Sequence, residues 1–474
     1  MVRNFSMADQ FAFASLSGDY NKLHVDEIAA RRFLFGRPAV HGIHLVLFAL
    51  DEWTKSRKQP FALVSLKVNF RKPLLVGQDV RLQIKEENNA KIILKLFNNE
   101  DLLTDISISI SDRQINVQSL VGQLFVEQKS KLLTAADLES SSGILEVSLE
   151  NGLAQKLFPA LISFMPALQI AELLASTRLV GMECPGENSL FSDVNVEFKD
   201  AASGSVLVYK VLEFDPRFSK LLINIEGPSI KGVLGAFLRP APKQQPSFVD
   251  VKTMVRPGEF SRQAAFIVGG SRGLGEVAAK LLAAGGAKVL ITYVKGADDA
   301  RRIKDELGRD GCSIESLLFD VTRSGQADLS AISAFAPTHL YYFATGFISA
   351  GGKNFSQELF RSFCEYYVSG LSATLDVVGQ ASGRLNHLFY PSSVFVDERP
   401  ANFMEYAAAK AAGEEQCSLY QKNRKDVQVY MPRLPRMSTD QTQNLYAHDA
   451  APDPVPVMLE HLRVFEKALN TASG

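Results

Sequence analysis

The sequence has few of the features that mark secreted, metal-binding or nucleic-acid-binding proteins. Its cysteines form neither a CxxC pair nor a metal-ligand spacing; they are Cys184, Cys312, Cys364 and Cys417. We therefore expect no metal cofactor and a reduced, cytoplasmic location. The 51 basic and 52 acidic residues nearly cancel. The net charge is therefore too small to attract the chain to nucleic acid or to an anionic membrane.

Long apolar runs are also scarce. The most apolar stretch, residues 157–175, is interrupted by Pro159, Pro166, Gln169 and Glu172. Prolines and buried polar side chains are unfavourable in a membrane-spanning helix. This stretch therefore predicts a buried helix, and we expect no membrane span.

The 474 residues suggest about three domains. Residues 242–261 begin with a proline- and glutamine-rich segment and predict a linker. After it, short apolar runs at 264–268, 288–293, 316–319 and 339–343 alternate with helical patterns. Such alternation is typical of a parallel sheet covered on both faces. Residues 262–474 therefore predict one α/β domain with a Rossmann fold.

The first half of the chain contains a faint internal repeat. An apolar helical stretch at 38–53 and another at 159–174 are each followed by an alternating strand, at 66–70 and 194–198. This pattern predicts an antiparallel sheet around a buried helix, present twice. We assign residues 1–115 to the first copy, 116–145 to a connector and 146–241 to the second copy. The second copy lacks histidine, since none occurs between positions 44 and 339.

The first copy carries one group of candidate catalytic residues. Asp19 and His24 lie five residues apart on a glycine-containing loop and could share acid/base work on one water at the β-carbon of a thioester. Gly42 precedes an apolar helix, and its N–H could stabilise an enolate-like transition state. The alternative is that Asp19 and Asn21 cap a turn and His24 is an ordinary loop residue.

The run Ser17-Gly-Asp-Tyr-Asn-Lys-Leu-His-Val-Asp26, followed by His41-Gly42, resembles (R)-specific enoyl-CoA hydratases and other MaoC-like dehydratases, which have the hotdog fold. The resemblance implies that Asp19 and His24 are the catalytic pair, that Asn21 supports the loop and that Gly42 is the oxyanion donor. Lys22 replaces the usual proline. The second copy then resembles a degenerate hotdog that contributes walls to the acyl pocket.

The α/β domain carries a second group. A glycine-rich turn at 269–275 follows the first strand and opens a helix, where backbone N–H groups can approach a pyrophosphate. Tyr406 and Lys410 are four residues apart, hence on one helical face. A nearby ammonium group is expected to lower the pKa of Tyr406. The predicted cofactor-binding residues are Gly269, Ser271, Arg272, Gly273, Leu274, Gly275, Asp320, Val321, Tyr406 and Lys410.

With Ser393, this order of features resembles short-chain dehydrogenases/reductases over residues 262–474, in particular the 3-oxoacyl reductases that act on acyl carrier protein. The resemblance implies that Tyr406 protonates the carbonyl oxygen, Ser393 holds it and Lys410 binds the ribose. It also implies a homodimer formed through this domain. Three departures stand out: Val268 replaces threonine, residues 343–346 read Phe-Ala-Thr-Gly, and Tyr367 replaces the relay asparagine.

Cofactor choice depends on the end of the second strand of this domain. Residues 292–296 contain no acid that could accept hydrogen bonds from ribose hydroxyls. Arg272, and also Lys295, could pair with a 2′-phosphate, which predicts NADPH. The alternative is that Arg272 is a solvated loop cation.

The two chemistries are adjacent steps on one substrate class. We expect a bifunctional enzyme that reduces a 3-oxoacyl thioester and dehydrates the (3R)-hydroxyacyl product, with the substrate on coenzyme A or acyl carrier protein. Two alternatives stay open. One is a β-oxidation enzyme that hydrates and then oxidises with NAD; in the other, one half is silent and serves in carrier docking or dimerisation.

Overall fold

The computed structural model describes residues 2–87, 91–112, 122–202, 204–352, 354–442 and 451–472. The chain divides into two units, the first ending at Ala241 and the second starting at Pro242. Among the described residues, no helix is long and apolar enough to cross a membrane.

The first unit is built on one antiparallel sheet of ten strands. The strands are β1 (Val2–Asn4), β2 (Ala62–Phe70), β3 (Asp79–Glu87), β4 (Ile92–Asn98), β5 (Asp101–Ser111), β6 (Ser142–Glu146), β7 (Ser189–Phe198), β8 (Val206–Asp215), β9 (Lys220–Glu226) and β10 (Ile230–Leu238). Their order is β1-β3-β4-β5-β2-β7-β10-β9-β8-β6. The order outward from β2 is therefore repeated outward from β7, and the β2–β7 pair joins the two halves.

Eight helices of this unit are α1 (Met7–Ser17), α2 (Lys22–Val25), α3 (Glu27–Ala30), α4 (Gly42–Thr54), α5 (Ala135–Leu138), α6 (Asn151–Leu157), α7 (Pro159–Phe164) and α8 (Ala167–Arg178). Helices α4 and α8 are almost wholly buried, and both belong to one apolar core. The first half, with α4 packed on its strands, has the hotdog arrangement that the sequence predicts.

The structure corrects the helix predicted from position 159 to 174. It is two helices, α7 and α8, because Met165 is extended ahead of Pro166, as a residue before proline prefers. The helix that precedes β7 therefore begins at Ala167.

Two segments that the sequence predicts as connections contain regular structure. The described part of the 116–145 connector includes α5 and the start of β6, which pairs with β8 at the edge of the sheet. The 242–261 linker contains α9 (Phe248–Lys252). Phe248 and Val251 lie three residues apart on one face of α9 and are buried in the second unit's core. Burial of these two side chains stabilises the segment against that unit.

The second unit has a parallel sheet of six strands. These are β11 (Ala264–Val268), β12 (Lys288–Tyr293), β13 (Ile314–Leu318), β14 (His339–Tyr342), β15 (His387–Phe389) and β17 (Gln428–Tyr430), with a separate short pair, β16 (Ser392–Ser393) and β18 (Arg433–Leu434). The strand order is β13-β12-β11-β14-β15-β17. All strands are parallel, but the chain adds strands on one side of β11 up to β13 and then on the other side from β14 onward. In such sheets ligands bind beyond the carboxyl ends of the strands at the reversal.

The helices of this unit are α10 (Gly273–Ala284), α11 (Ala297–Arg309), α12 (Leu329–Phe335), α13 (Gln357–Cys364), α14 (Leu371–Ala381), α15 (Phe395–Glu398), α16 (Met404–Asn423) and α17 (Pro454–Ala472). Two separate apolar cores contain inward side chains from alternate positions of the same strands; for example, Ile267 lies in one and Phe266 in the other. The sheet is therefore covered on both faces, which confirms the predicted Rossmann fold.

Candidate active sites

The loop between α1 and α2 holds the first group of predicted residues. Helix α1 ends at Gly18, whose φ of +80° turns the chain sharply. Asp19 follows and is buried. The Asn21 side chain caps α2 through the Leu23 N–H and donates to the carbonyl oxygen of Gly181 at 2.8 Å. Asn21 thus ties this loop to the second half of the sheet.

Asp19 accepts two hydrogen bonds through its carboxylate. The Thr177 hydroxyl donates to Oδ2 at 2.7 Å, and the Asn21 backbone N–H donates to Oδ1 at 3.2 Å. Burial raises the pKa of Asp19, while His24, Thr177 and Asn21 oppose that shift. Both donors favour the ionised carboxylate.

His24 lies close to the Asp19 carboxylate and offers one ring nitrogen there. Its Nδ1 lies 2.7 Å from the carbonyl oxygen of Ala39; because a carbonyl only accepts, Nδ1 carries the hydrogen and Nε2 offers a lone pair. Burial lowers the pKa of His24, with Asp19 opposing, so the imidazole is neutral near pH 7. His24 also stacks on His41, with ring centroids 3.9 Å apart.

The possible metal-ligand atoms of Asp19, His24 and His41 all lie within 4.8 Å of one another. Both ring nitrogens of His41 have protein partners: Nε2 is 2.9 Å from the Asp19 carbonyl oxygen, and Nδ1 is 2.9 Å from Oε1 of Gln10. Both partner oxygens are acceptors, and the buried, neutral imidazole has only one N–H to donate to them. These two contacts orient His41 against the loop that carries Asp19.

Gly42 is the first residue of α4, where a backbone N–H has no partner within its own helix. A Cβ at this position would lie 2.9 Å from the Phe70 ring, so any larger residue would require that ring to shift. Asp19, His24 and Gly42 line one cavity of about 100 Å³. The second half of the sheet supplies further walls, namely Thr177, Val180, Gly181, Ser189, Leu190 and Phe191.

The glycine-rich turn of the second unit joins β11 to α10. A Cβ at Gly269 would lie 2.9 Å from the backbone at Phe343, and one at Gly275 would lie 2.2 Å from the Gly269 oxygen. Gly269 and Gly273 also have positive φ, +78° and +57°. Ser271 is buried in this turn and Leu274 packs against the core. The turn therefore keeps its backbone open at the N-terminus of α10.

Arg272 and Asp320 lie near this turn and near the end of β13, respectively. The Arg272 guanidinium forms an ion pair with Asp440, Nη1 to Oδ2 at 2.9 Å. Asp320 follows β13, and its Oδ1 accepts from the N–H and hydroxyl of Thr322 at 2.9 and 2.7 Å. Val321 is buried beside it. The structure thus makes Asp440 the partner of the predicted phosphate-binding arginine.

Ser393 ends β16, and Tyr406 and Lys410 lie on α16. The Ser393 side chain acts on Tyr406 and opposes the effect of burial on the Tyr406 pKa. All three are buried. Tyr367 packs edge-on against Tyr406, with ring centroids 5.7 Å apart. Its hydroxyl is 2.5 Å from that of Thr345.

The charge states of this group differ from the expectation. Burial raises the pKa of Tyr406 to about 12 and lowers the pKa of Lys410 to about 7. Lys410 donates to the carbonyl oxygen of Pro391 at 2.7 Å, and its Nζ lies 4.1 Å from the Tyr367 ring centroid. The expected lowering of the Tyr406 pKa is not found, because burial raises this pKa and the Ser393 side chain only partly opposes the shift.

Sequence reasoning missed Thr177, Gly181 and Asp440. The first two face Asp19 from about 160 residues along the chain, and Asp440 reaches Arg272 across 168 residues. None of them stands in a motif, so only the internal repeat could have directed attention to α8 and the residues after it.

Two parts of the chain match different protein families. Residues 3–100 match the MaoC-like domain family and residues 263–450 match the short chain dehydrogenase family. Residues of this chain are 31% identical over 88 positions to an (R)-specific enoyl-CoA hydratase of Aeromonas caviae, covering 18% of this chain and 64% of that protein. They are 30% identical over 113 positions to a mitochondrial 3-hydroxyacyl-[acyl-carrier-protein] dehydratase of Arabidopsis thaliana, covering 22% and 68%.

Solved structures similar to the second unit include a short chain dehydrogenase from Burkholderia cenocepacia in complex with NADP, with 20% identity, 43% and 91% coverage and a TM-score of 0.38. A second is a short-chain type dehydrogenase/reductase from Mycobacterium ulcerans, with 19% identity and a TM-score of 0.40. The match covers 44% of this chain and 85% of that structure. The chain spans less than two thirds of the Aeromonas hydratase. The chain belongs to the MaoC-like dehydratases through its N-terminal region, and a short-chain dehydrogenase domain follows later in the chain.

Proposed function

We propose that this protein is a bifunctional enzyme that reduces a 3-oxoacyl thioester with NADPH and dehydrates the resulting (3R)-hydroxyacyl thioester. The observation that carries the proposal is that each unit gathers a complete set of reacting groups. Asp19, His24 and Gly42 line one cavity, and the second unit carries buried Ser393, Tyr406 and Lys410 together with a glycine-rich turn after β11.

In the first unit, one water is proposed to lie between Asp19 and His24. The ionised carboxylate and Nε2 of His24 each accept one of its hydrogens, which directs its lone pair at the β-carbon of an enoyl thioester. The pair takes one proton from this water and returns one proton to the α-carbon. Dehydration is the reverse. The Gly42 N–H stabilises negative charge on the thioester oxygen.

We propose that residues 146–241 are a degenerate hotdog copy and that residues 1–115 are the active one. The repeated strand order outward from β2 and β7 supports this, as does the burial of α8 in the same core as α4. The second copy has no histidine, so its contribution is wall residues such as Val180 and Phe191.

In the second unit, the residues present fit a nicotinamide cofactor, because the turn at Gly269 and Gly275 has no room for side chains and leaves backbone N–H groups at the α10 N-terminus. The cofactor supplies hydride when bound. Asp320 would hold the adenine and Lys410 the ribose. The Tyr406 hydroxyl then delivers a proton to the carbonyl oxygen that Ser393 holds.

NADPH is favoured over NADH by two features. Residues 292–296, at the end of β12, include no acid. Arg272 lies at the start of α10, where a phosphate can exchange with its present partner Asp440. The biosynthetic direction follows from NADPH. Oxidation with NAD in a β-oxidation sequence is the second candidate, and preference for NADH would favour it.

Substrates on both carriers are compatible with the relatives of the first unit, one named for enoyl-CoA and one for acyl carrier protein. Fusion of two consecutive activities raises the effective concentration of the shared intermediate. The homodimer, the cytoplasmic location and a reductase domain spanning residues 262–474 stay predictions.

The test is to assay the full chain for both activities separately. We expect hydration of crotonyl thioester without cofactor, and oxidation of NADPH by a 3-oxoacyl thioester on coenzyme A or acyl carrier protein. Activity in one assay but not the other would favour the silent-half alternative, and failure of both would contradict the proposal.

A further inference from the structure

Two residues of the second half of the first unit, residues 146–241, contact the carboxylate of Asp19. This half contains no histidine. The Thr177 hydroxyl donates to Oδ2 at 2.7 Å. Gly181 lies so close that a Cβ built on it would be 2.1 Å from Oδ1. One half of the first unit therefore carries Asp19, and the other half contacts both of its oxygens.

We propose that Thr177 is a positioning residue for hydration and dehydration, which holds Asp19 ionised and aimed at the shared water, so that the site is complete only with both halves. This inference rests on the proposed hydro-lyase function. Thr177 acts through Asp19, so it need not contact the substrate.

The local backbone explains why these two residues reach Asp19. Helix α8 ends at Arg178 and continues as a π-helical turn, Leu179–Glu183, a feature that often marks functional sites. The turn is fastened to the catalytic loop, since the Tyr20 N–H donates to Sδ of Met182 and the Asn21 amide donates to the Gly181 oxygen. The approach of Thr177 to Asp19 is therefore supported by neighbouring contacts.

The Thr177 hydroxyl makes an unusual choice of acceptor. Threonine within a helix commonly bonds a carbonyl of the preceding turn, as Thr54 does with Leu50 on α4. Its neighbour Ser176 likewise donates to the Leu173 oxygen at 2.7 Å. Thr177 instead gives its single hydrogen to a carboxylate, and a hydrogen bond to the charged form favours ionisation.

Other charged and titratable groups also face this site. His24 from α2, His41 at the start of α4 and Arg178 from α8 surround Asp19, and Arg239 after β10 acts on His24. Arg178 donates to the Glu146 carbonyl, and its guanidinium lies 4.2 Å from the Phe125 ring centroid. Substitution at Thr177 leaves these groups in place. A change in the pH profile of activity therefore reports the loss of the Thr177 hydroxyl.

The experiment compares pH profiles of kcat/KM for hydration of crotonyl thioester by the full-length parent, Thr177→Val and Thr177→Ser. Asp19 must be ionised to accept the water proton, and loss of the hydroxyl raises its pKa. We expect the acidic limb of the Val variant to move up by about one pH unit. The Ser variant, which keeps the hydroxyl, should restore the parental profile.

Ser176→Ala is the matched control, because it removes a buried hydroxyl from the adjacent position of the same helix; its profile should match the parent. Thermal unfolding checks that each variant is folded. If Thr177→Val does not fold, Thr177→Ala takes its place.

If the parent hydrates the thioester and the folded Thr177→Val or Thr177→Ala variant has the same pH profile, the proposed role of Thr177 is wrong. The proposed function is then still supported. A parent that does not hydrate any enoyl thioester overturns both. The inference is supported if the acidic limb of the profile moves to higher pH in Thr177→Val and lies at the parental pH in Thr177→Ser.

Discussion

In the first unit, burial lowers the pKa of His24 and raises that of Asp19, and hydrogen-bond donors on the Asp19 carboxylate oppose the second shift. His24 is neutral with a free Nε2, and Asp19 keeps two donors on its carboxylate. In the second unit, burial also disfavours the charged forms. It raises the pKa of Tyr406 to about 12 and lowers that of Lys410 to about 7. Burial thus disfavours the charged forms in both sites, and the sites differ in the hydrogen-bond donors and acceptors that oppose it.

The difference lies in what surrounds each charged group. Asp19 is met by hydroxyl and N–H donors from both halves of its unit. Lys410 is met by one carbonyl and by the faces of Tyr367 and Tyr390. Aromatic faces attract an ammonium group but replace little of its hydration. A catalytic motif therefore specifies which groups meet, and their neighbours decide how those groups ionise.

The largest expected effect concerns Tyr406, the acid of the second site. Tyr406→Phe should reduce 3-oxoacyl thioester reduction by about 100-fold or more, because proton delivery is lost. NADPH binding should be unchanged, since the ring stays in place. Tyr420→Phe, on the same helix α16, is the control and should keep its activity. Weakened cofactor binding in Tyr406→Phe would indicate a structural tyrosine instead.

A smaller effect is expected at the cofactor site. Titration of the full chain should give tighter binding of NADPH than of NADH, and Arg272→Ala should narrow that gap by about 10- to 100-fold, from a charge-assisted contact worth roughly 1.5–3 kcal/mol. Arg301→Ala, an exposed ion-paired residue of α11, is the matched control. Equal affinity of the parent for both cofactors would contradict the NADPH assignment and favour the β-oxidation alternative.

Much of the fold was predictable because its signals are local. The apolar runs at 264–268 and 288–293 coincide with β11 and β12, and the alternating run at 66–70 lies within β2. The break at Met165 and the burial of Phe248 were missed. A proline inside an apolar run can kink or end a helix, and the sequence around Phe248 shows only a short apolar pair in a polar segment.

The candidate sites show the same limit. Asp19, His24, Ser393 and Tyr406 were chosen because motif spacing carries them, and their catalytic roles stay predictions. Thr177 and Asp440 reach their partners only through the tertiary fold. The pKa of Lys410 depends on burial among aromatic rings, which spacing along one helix does not reveal.

The most direct test of two sites acting in sequence is mass analysis of products from a 3-oxoacyl thioester and NADPH. The parent should yield both the 3-hydroxyacyl and the trans-2-enoyl thioester. Asp19→Asn and His24→Ala should stop at the 3-hydroxyacyl product, with dehydration reduced by about 100-fold or more and NADPH consumption unchanged. Asp26→Asn, which alters only the cap of α3, should behave as the parent. Formation of the enoyl product by both variants at the parental rate would contradict the assignment.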